Sequence, residues 1–382
     1  MTEPYAPSPE LEDFRRLARD FTERRVRPLV DEAERSQDFP RELFKEWGSQ
    51  DMLGFSTPVD LGGSEGGLSA AAVLVEETAR VCSGFATSLI VQLTVVPTVL
   101  RLFGTDMQRS ELLPALARGD LVGSLAVTEP EAGSDVRALR ARARRVEDGF
   151  AISGSKLYIT NGTLADFYVV AAVVDADLGH RGIGLFIVER SNPGLVDVTK
   201  MDKTSVRSSD TAELTFRDAV VPAEALVGGD LNGFVKLMST FDGERVIHAS
   251  RALGLSRACF EAANRYAGER RQFGKPIREF QAVAFKLADM AVAIDVSQLL
   301  VYRAAARADA ALPFSREASV AKLVATENAR NIATETMQVH GSYGLTADFP
   351  IGRYVADAHL ETIGTGTSEI QRMIIARTLE AP

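Results

Sequence analysis

The stretch DFYVVAAVV, residues 166 to 174, with GIGLFIVE, residues 182 to 189, close behind it, decides how this chain divides. Both runs are short, dense in β-branched and aromatic side chains, and bounded by Gly, Asn and Asp. Such runs fit the pleated surface of a sheet better than a helix. The same texture extends outward from Leu121 to about Val227 and then stops. From Pro9 to about Arg118 apolar residues recur at helical spacing, as in Leu11, Phe14, Leu17, Phe21 and Val26, with turn clusters at 56 to 67 and around Gly104. From Gly233 onward Ala-rich and Arg-rich helical patterns return, broken chiefly at Gly274 to Pro276, at Pro313 and over 341 to 352. The predicted architecture is mainly α with a central β-domain: an N-terminal helical domain over 1–120, a middle β-domain over 121–227 and a C-terminal helical bundle over 228–382.

Composition narrows what such a chain does. Its 382 residues are 46% hydrophobic, enough for a large core. A net charge of -9 disfavours binding to a phosphate backbone, which needs clustered Lys and Arg, so no nucleic-acid partner is expected. Cys82 and Cys259 stand far apart and form no CxxC or metal-like cluster, so neither a disulfide framework nor a metal site is expected, and a reducing cytoplasm is the easier home. The first residues, MTEPYAPSPELEDF, lack the apolar core of an export signal. The longest apolar run, SLIVQLTVVPTVL (88 to 100), is too short to span a bilayer and contains Gln92 and Pro97, so it reads as a buried helix with no membrane role.

Several segments bear chemistry. AVTEPEAGSD (126 to 135) offers backbone N–H groups and short hydroxyls to the edge of a flat polar ligand, although by itself it reads more readily as an ordinary turn. RRQFGKPIREFQ (270 to 281) sets two arginines beside an aromatic, a combination suited to pyrophosphate and adenine, or else to a solvated helix end. No glycine-rich stretch follows a strand as in a dinucleotide-binding βαβ unit, so a Rossmann fold is not expected. On a helix, Phe234, Leu237, Met238, Phe241, His248, Ala252, Leu255 and Cys259 form one stripe, and Glu244 falls on it. A carboxylate there is desolvated, which raises its pKa and makes it a better proton acceptor. The alternative is that Glu244 merely pairs with His248 one turn on.

These segments, with KLYITNG (156 to 162), QVHGSYG (338 to 344) and HLETIGTGTSEIQR (359 to 372), resemble the acyl-CoA dehydrogenase family over nearly the whole chain. The resemblance implies helices, a β-barrel-like middle domain and a C-terminal four-helix bundle, assembled as a homotetramer around FAD. It implies that Leu125, Val127, Thr128, Gly133 and Ser134 line the flavin ring and the acyl entrance, with Tyr158, Ile159 and Thr160 on the other side of the ring. Arg270, Gln272, Phe273 and Gln281 would reach a neighbouring subunit's FAD, joined by Gln338, Gly341, Thr367 and Glu369. Asp242, Arg245, Gly366, Ser134 and Arg377 would contact the thioester substrate or its pantetheine arm. One residue departs from the commonest family pattern: Thr365 stands in TGT (365 to 367) where most members have the glutamate that removes the α-proton. A minority, including isovaleryl-type and long-chain-type enzymes and prolyl-carrier-protein dehydrogenases, place that glutamate on the earlier helix just before an arginine. Glu244 and Arg245 match this arrangement.

The expected activity is FAD-dependent α,β-desaturation of an acyl thioester, with Glu244 as base and hydride passing to flavin N5. The thioester oxygen would be held by the backbone N–H of Thr365 and a ribityl hydroxyl of the cofactor. Electrons would leave to an electron-transferring flavoprotein or to oxygen. The most direct substrate is an acyl-CoA; the alternative is an acyl or aminoacyl group, such as prolyl, on a carrier protein. VRALRARARR (136 to 145) would place Arg140, Arg142 and Arg144 on one strand face, either as a docking patch for an acidic carrier or as a charged edge strand. A different class, a non-catalytic flavin-binding scaffold, is favoured by the absent late-loop glutamate and opposed by Glu244.

Overall fold

The computed structural model describes residues 8–379. Residues 1–7, the start of the segment read for an export signal, and 380–382, the end of the last expected domain, lie outside the described residues. Helices come first: α1 (Pro9–Phe21), α2 (Val30–Ser36), α3 (Glu42–Gly48), α4 (Gly67–Val81), α5 (Ser83–Ile90), α6 (Val96–Phe103) and α7 (Asp106–Ala117). Their starts follow from sequence. Ser8 caps α1 by accepting from the Leu11 N–H at 3.2 Å, with Pro9 as first residue, and Thr105 with Gln108 closes a reciprocal capping box on α7.

The apolar run from residue 88 lies within one continuous helical segment, Ser83–Phe103, made of α5, a π-helical turn at Val91–Val95 and α6. By length and composition it is apolar enough to cross a bilayer, yet 72% of its most apolar window is buried inside this fold.

Seven strands follow: β1 (Gly123–Ala126), β2 (Arg142–Val146), β3 (Gly149–Thr160), β4 (Phe167–Val173), β5 (Ile183–Glu189), β6 (Leu195–Lys200) and β7 (Thr211–Pro222). They form one curled sheet in the order β1-β4-β2-β3-β7-β6, with β5 also on β4. Every residue of β4 is buried, and the two faces of its alternation explain the unbroken apolar run. Phe167, Val169, Ala171 and Val173 pack toward Val96, Val99, Leu113 and Leu237 of the helices. Tyr168, Val170 and Ala172 pack inside the sheet with Phe150, Ile152, Phe186 and Leu214.

The basic run 136–145 is not an edge strand. β2 pairs along its length with β3 and at Arg142 with Val173 of β4. Arg142 and Arg144 are exposed on one face, but Arg140 lies ahead of the strand and is ion-paired with Glu131.

The remaining helices are α8 (Gly233–Glu269), α9 (Gln281–Asp309), α10 (Ser315–His340), α11 (Ile351–Glu361) and α12 (Ser368–Arg377). α8 runs 37 residues without interruption, roughly 55 Å at the usual rise. It approaches α4 closely enough that a Cβ on Gly254 would lie 2.2 Å from the Glu76 carbonyl oxygen, so only glycine fits that crossing. Around it Glu76 and Glu77, fully buried, are held by Arg15, Arg19, Arg80 and Arg257, which tie α1, α4 and α8 together.

Candidate active site

Two of the singled-out segments are stitched side by side. The Leu157 N–H donates to the Thr128 carbonyl at 2.9 Å, and the Ser124 hydroxyl donates to the Thr160 carbonyl at 2.6 Å. Beneath them the Lys156 ammonium donates to Glu129 at 2.7 Å and to the Val127 carbonyl at 3.0 Å, all buried. Glu129 in turn accepts the N–H groups of Arg140 and Ala141 at 2.6 and 3.0 Å. Burial pulls the Lys156 pKa down to about 8 against the opposing pull of Glu129. Sequence reasoning missed this pair, although the Lys in KLYITNG and the Glu in TEPEAG are the only charged residues of the two stitched runs that sit inside the fold.

The result is a shelf. Tyr158, at φ 58°, stands 63% exposed on it, Gly133 and Ser134 are exposed, and nothing lies within 4 Å of where a Cβ on Gly133 would be. Thr128 and Thr160 are half-buried along it. Val127 and Ile159 instead turn into the cores below, and Leu125 packs with Val127.

Glu244 sits in the wall of a cavity of about 370 Å³, together with Phe55, Leu68, Thr94, Thr98, Ser239 and Thr240, with Arg101 and Glu65 at its exposed rim. Its Oε1 is buried with no hydrogen-bond partner. Burial pushes the carboxyl up to about 7, against the pull of Arg245 and Thr240. A desolvated carboxyl in a cavity wall, with one oxygen free of hydrogen bonds, suits a base for a weakly acidic C–H. The pairing with His248 does not form. His248 bonds elsewhere: its Nδ1 lies 2.7 Å from the Thr365 hydroxyl and its Nε2 2.9 Å from Nη2 of Arg251.

Arg251 in turn donates to Glu361 at 3.1 and 2.9 Å and to the Thr87 hydroxyl, while Ser83 donates to Glu361 at 3.2 Å. Arg251 and Glu361 are essentially fully buried. Burial, reinforced by Arg251 and Lys322, holds His248 well below the usual imidazole range, so the ring is neutral. The late loop is thus pinned from below. Thr365 and Gly366 both have positive φ, 53° and 83°, and the Gly366 carbonyl accepts from Lys322 at 2.8 Å and Gln371 at 2.9 Å. Among the described residues the Thr365 N–H has no acceptor.

The other expected residues fall into separate groups. Asp242 is ion-paired with Arg245 and accepts from Ser315 at 3.1 Å, leaving the pair anchored on α8 beside the base. Thr367 caps α12, Glu369 is exposed in its first turn, and Arg377 lies exposed at its far end with Met373 as its contact. Arg270, Gln272, Phe273 and Gln281 are all exposed around a small hairpin, Arg271–Gln272 with Lys275–Pro276, and Phe273 is 92% exposed at φ 51°. The Arg270 guanidinium lies 5.7 Å from the Tyr343 ring centroid, which brings this hairpin beside Gln338 and Gly341. Glu244 lies on α8 and Arg270 just past its C-terminus, 26 residues apart, roughly 39 Å at the usual rise. The hairpin patch therefore belongs to a different place from the shelf and the cavity. Among the described residues no group of three or more His, Cys, Asp or Glu is placed to hold a metal ion.

Three sequence profiles match successive parts of the chain: acyl-CoA dehydrogenase N-terminal domain over residues 8–120, middle domain over 124–219 and C-terminal domain over 232–380. A short-chain-specific acyl-CoA dehydrogenase of Clostridium acetobutylicum is 36% identical over 367 residues, 96% of this chain and 97% of that protein. Butyryl-CoA dehydrogenase from Megasphaera elsdenii superposes with a TM-score of 0.96 at 36% identity, covering 99% of this chain and 100% of that one. The prolyl acyl carrier protein oxidase AnaB superposes at 0.93 with 29% identity, covering 98% and 100%.

Proposed function

Because the chain belongs to the acyl-CoA dehydrogenase family, FAD-dependent oxidoreductases acting on CH–CH bonds, we propose that it desaturates an acyl thioester between Cα and Cβ with Glu244 as the base. The observation that supports this most is the unbonded, buried Oε1 of Glu244 in a cavity wall, one helical turn before His248, whose ring meets a late-loop Thr365 that offers no carboxylate. FAD held along the shelf would supply the acceptor for the β-hydrogen, taken as hydride. The shelf fits its ring: an exposed tyrosine, open space at Gly133 and half-buried threonine hydroxyls make a flat surface with polar edges.

The protein's own groups do the rest. Glu244 takes the α-proton onto its free oxygen. The Thr365 N–H, lacking an acceptor among the described residues, donates to the thioester oxygen as negative charge gathers there. Arg245 and Asp242, fixed to each other, steady the arm of the thioester at the helix surface.

We read the thioester carrier as CoA, in keeping with the butyryl-CoA and short-chain relatives. The carrier-protein reading keeps the same chemistry and is supported by the likeness to the prolyl acyl carrier protein oxidase and by the exposed Arg142 and Arg144. An electron-transferring flavoprotein or oxygen would take the electrons, and the cytoplasm suits two buried free thiols. The assembly is a homo-oligomer, with a tetramer expected. Phe285, Val292, Val296 and Leu299 leave one apolar stripe of α9 exposed, and Arg270, Gln272 and Phe273 stand exposed around the hairpin that follows α8, surfaces suited to a second copy of the chain. An anaerobic series of acyl-CoA and carrier-bound thioesters, scored by bleaching of bound flavin, tests the reading. Failure of every thioester to bleach would leave the scaffold alternative standing.

A further inference from the structure

The contact between His248 and Thr365 has a direction fixed by its neighbours. Arg251 carries only donors, so at 2.9 Å from its Nη2 the His248 Nε2 must accept. A neutral ring with Nε2 unprotonated bears its hydrogen on Nδ1, and Nδ1 therefore donates to the Thr365 hydroxyl. Glu361, holding Arg251 through two nitrogens, sets the far end of this chain of bonds. The residue at the near end is conformationally unusual. Thr365 is β-branched yet has φ 53°, a region such side chains rarely enter unless surrounding contacts over-determine it. Lys322 and Gln371 clamp the carbonyl of Gly366, and among the described residues only His248 bonds to the threonine side chain.

Resting on the reading of Thr365 as an oxyanion donor, we propose that His248 is a positioning residue whose Nδ1–H bond to the Thr365 hydroxyl holds that residue in its left-handed conformation and so aims its backbone N–H at the thioester oxygen. The glutamate's absence from position 365 is then put to use: a hydroxyl there accepts from the ring, whereas a carboxylate would need its oxygens for the α-proton. Glu361, Arg251 and His248 act as a rigid post under the late loop, one helical turn beyond the base.

The test is a set of variants of the FAD-loaded oligomer. His248→Leu removes the bond at similar volume. It should lower the limiting rate of flavin reduction roughly 10- to 100-fold while the half-saturating thioester concentration stays within about twofold, as expected for a contact made mainly in the transition state. His248→Asn returns an N–H near the Nδ1 position and should recover part of the loss. Thr365→Gly added to His248→Leu should return the rate to within about threefold of Thr365→Gly alone, because glycine adopts positive φ unaided. A second readout needs no turnover: the nitrogen-15 spectrum of histidine-labelled protein should lose one Nδ1-protonated neutral ring in His248→Leu. An Nε2-protonated or doubly protonated ring, an unchanged limiting rate in His248→Leu, or no recovery on adding Thr365→Gly would each overturn the proposal. If the parent protein itself is bleached by no thioester, it is the desaturase reading that fails, and the ring spectrum still decides the bond.

Discussion

Lys156 meets Glu129 at 2.7 Å beneath the shelf, one residue from each of the two segments that build it. Fully buried ion pairs add little when compared with apolar packing, but breaking one strands the survivor. Lys156→Met should therefore destabilise the protein by about 3–5 kcal/mol, read as a lowered urea midpoint. The shelf should also release FAD at a urea concentration that the parent tolerates. A variant that unfolds with the parent and retains its yellow colour equally well would show that the pair does not brace the shelf.

The base itself is tested by Glu244→Gln, which keeps shape and loses proton affinity. Flavin should remain bound while its reduction slows roughly 10²- to 10⁴-fold. Adding Thr365→Glu should restore a fraction of the rate, with the new carboxylate competing for the His248 ring. Reduction at the parental rate in Glu244→Gln would move attention to Glu361, although its two bonds from Arg251 leave it poorly placed to accept a proton.

Acidity gives a separate measure. Glu244 must be ionised to act, and its carboxyl is raised to about 7. Flavin reduction should fall about tenfold for each pH unit below that value and level off above it, in rapid-mixing experiments. Stability moves the opposite way. With Glu244 and Asp357 both raised to about 7 by burial, the folded state binds more protons than the unfolded one between the ordinary carboxylate range and neutrality. Their contribution is complete at low pH and is lost as the pH rises through about 7. Thermal midpoints from pH 5 to 8 should show this slope, and Glu244→Gln with Asp357→Asn should flatten it.

The carrier question turns on three arginines. Reversing Arg140, Arg142 and Arg144 together should change turnover of an acyl-CoA little. A carrier-protein substrate would lose association rate, and more so at low salt. Arg140 and Arg144 already face Glu131 and Asp218 at the surface, where ion pairs contribute little to stability. Equal rates with a carrier substrate before and after reversal would remove the docking role.

The sequence made the broad division legible because strands and helices here have different textures. Residues 167–174 are apolar without alternation since β4 is covered on both sides, and the long stripe around Glu244 is one face of α8. Glu244 could be found from its place on that stripe. His248 was visible too, but only as a possible partner one turn away from Glu244. Its true partners, Thr365 and Arg251, come from 117 residues away and from one turn further on. No local pattern encodes that choice, because it depends on where α11 docks. The inward turn of Val127 and Ile159 was missed for a related reason: a strand's two faces are known only once its neighbours are placed.

Helix α8 bears the base about three turns in from its N-terminus and is followed at its C-terminus by the Arg270 patch, roughly 39 Å along. Where that patch serves a neighbour, the working unit is not one polypeptide but a pairing of halves from two. Two defective genes could then mend each other. Co-expressed Glu244→Gln and Arg270→Glu chains would form mixed pairs in which one centre inherits both lesions and the other inherits neither. Such a mixture would regain activity that each homogeneous preparation lacks, a genetic signature of a rod shared between centres.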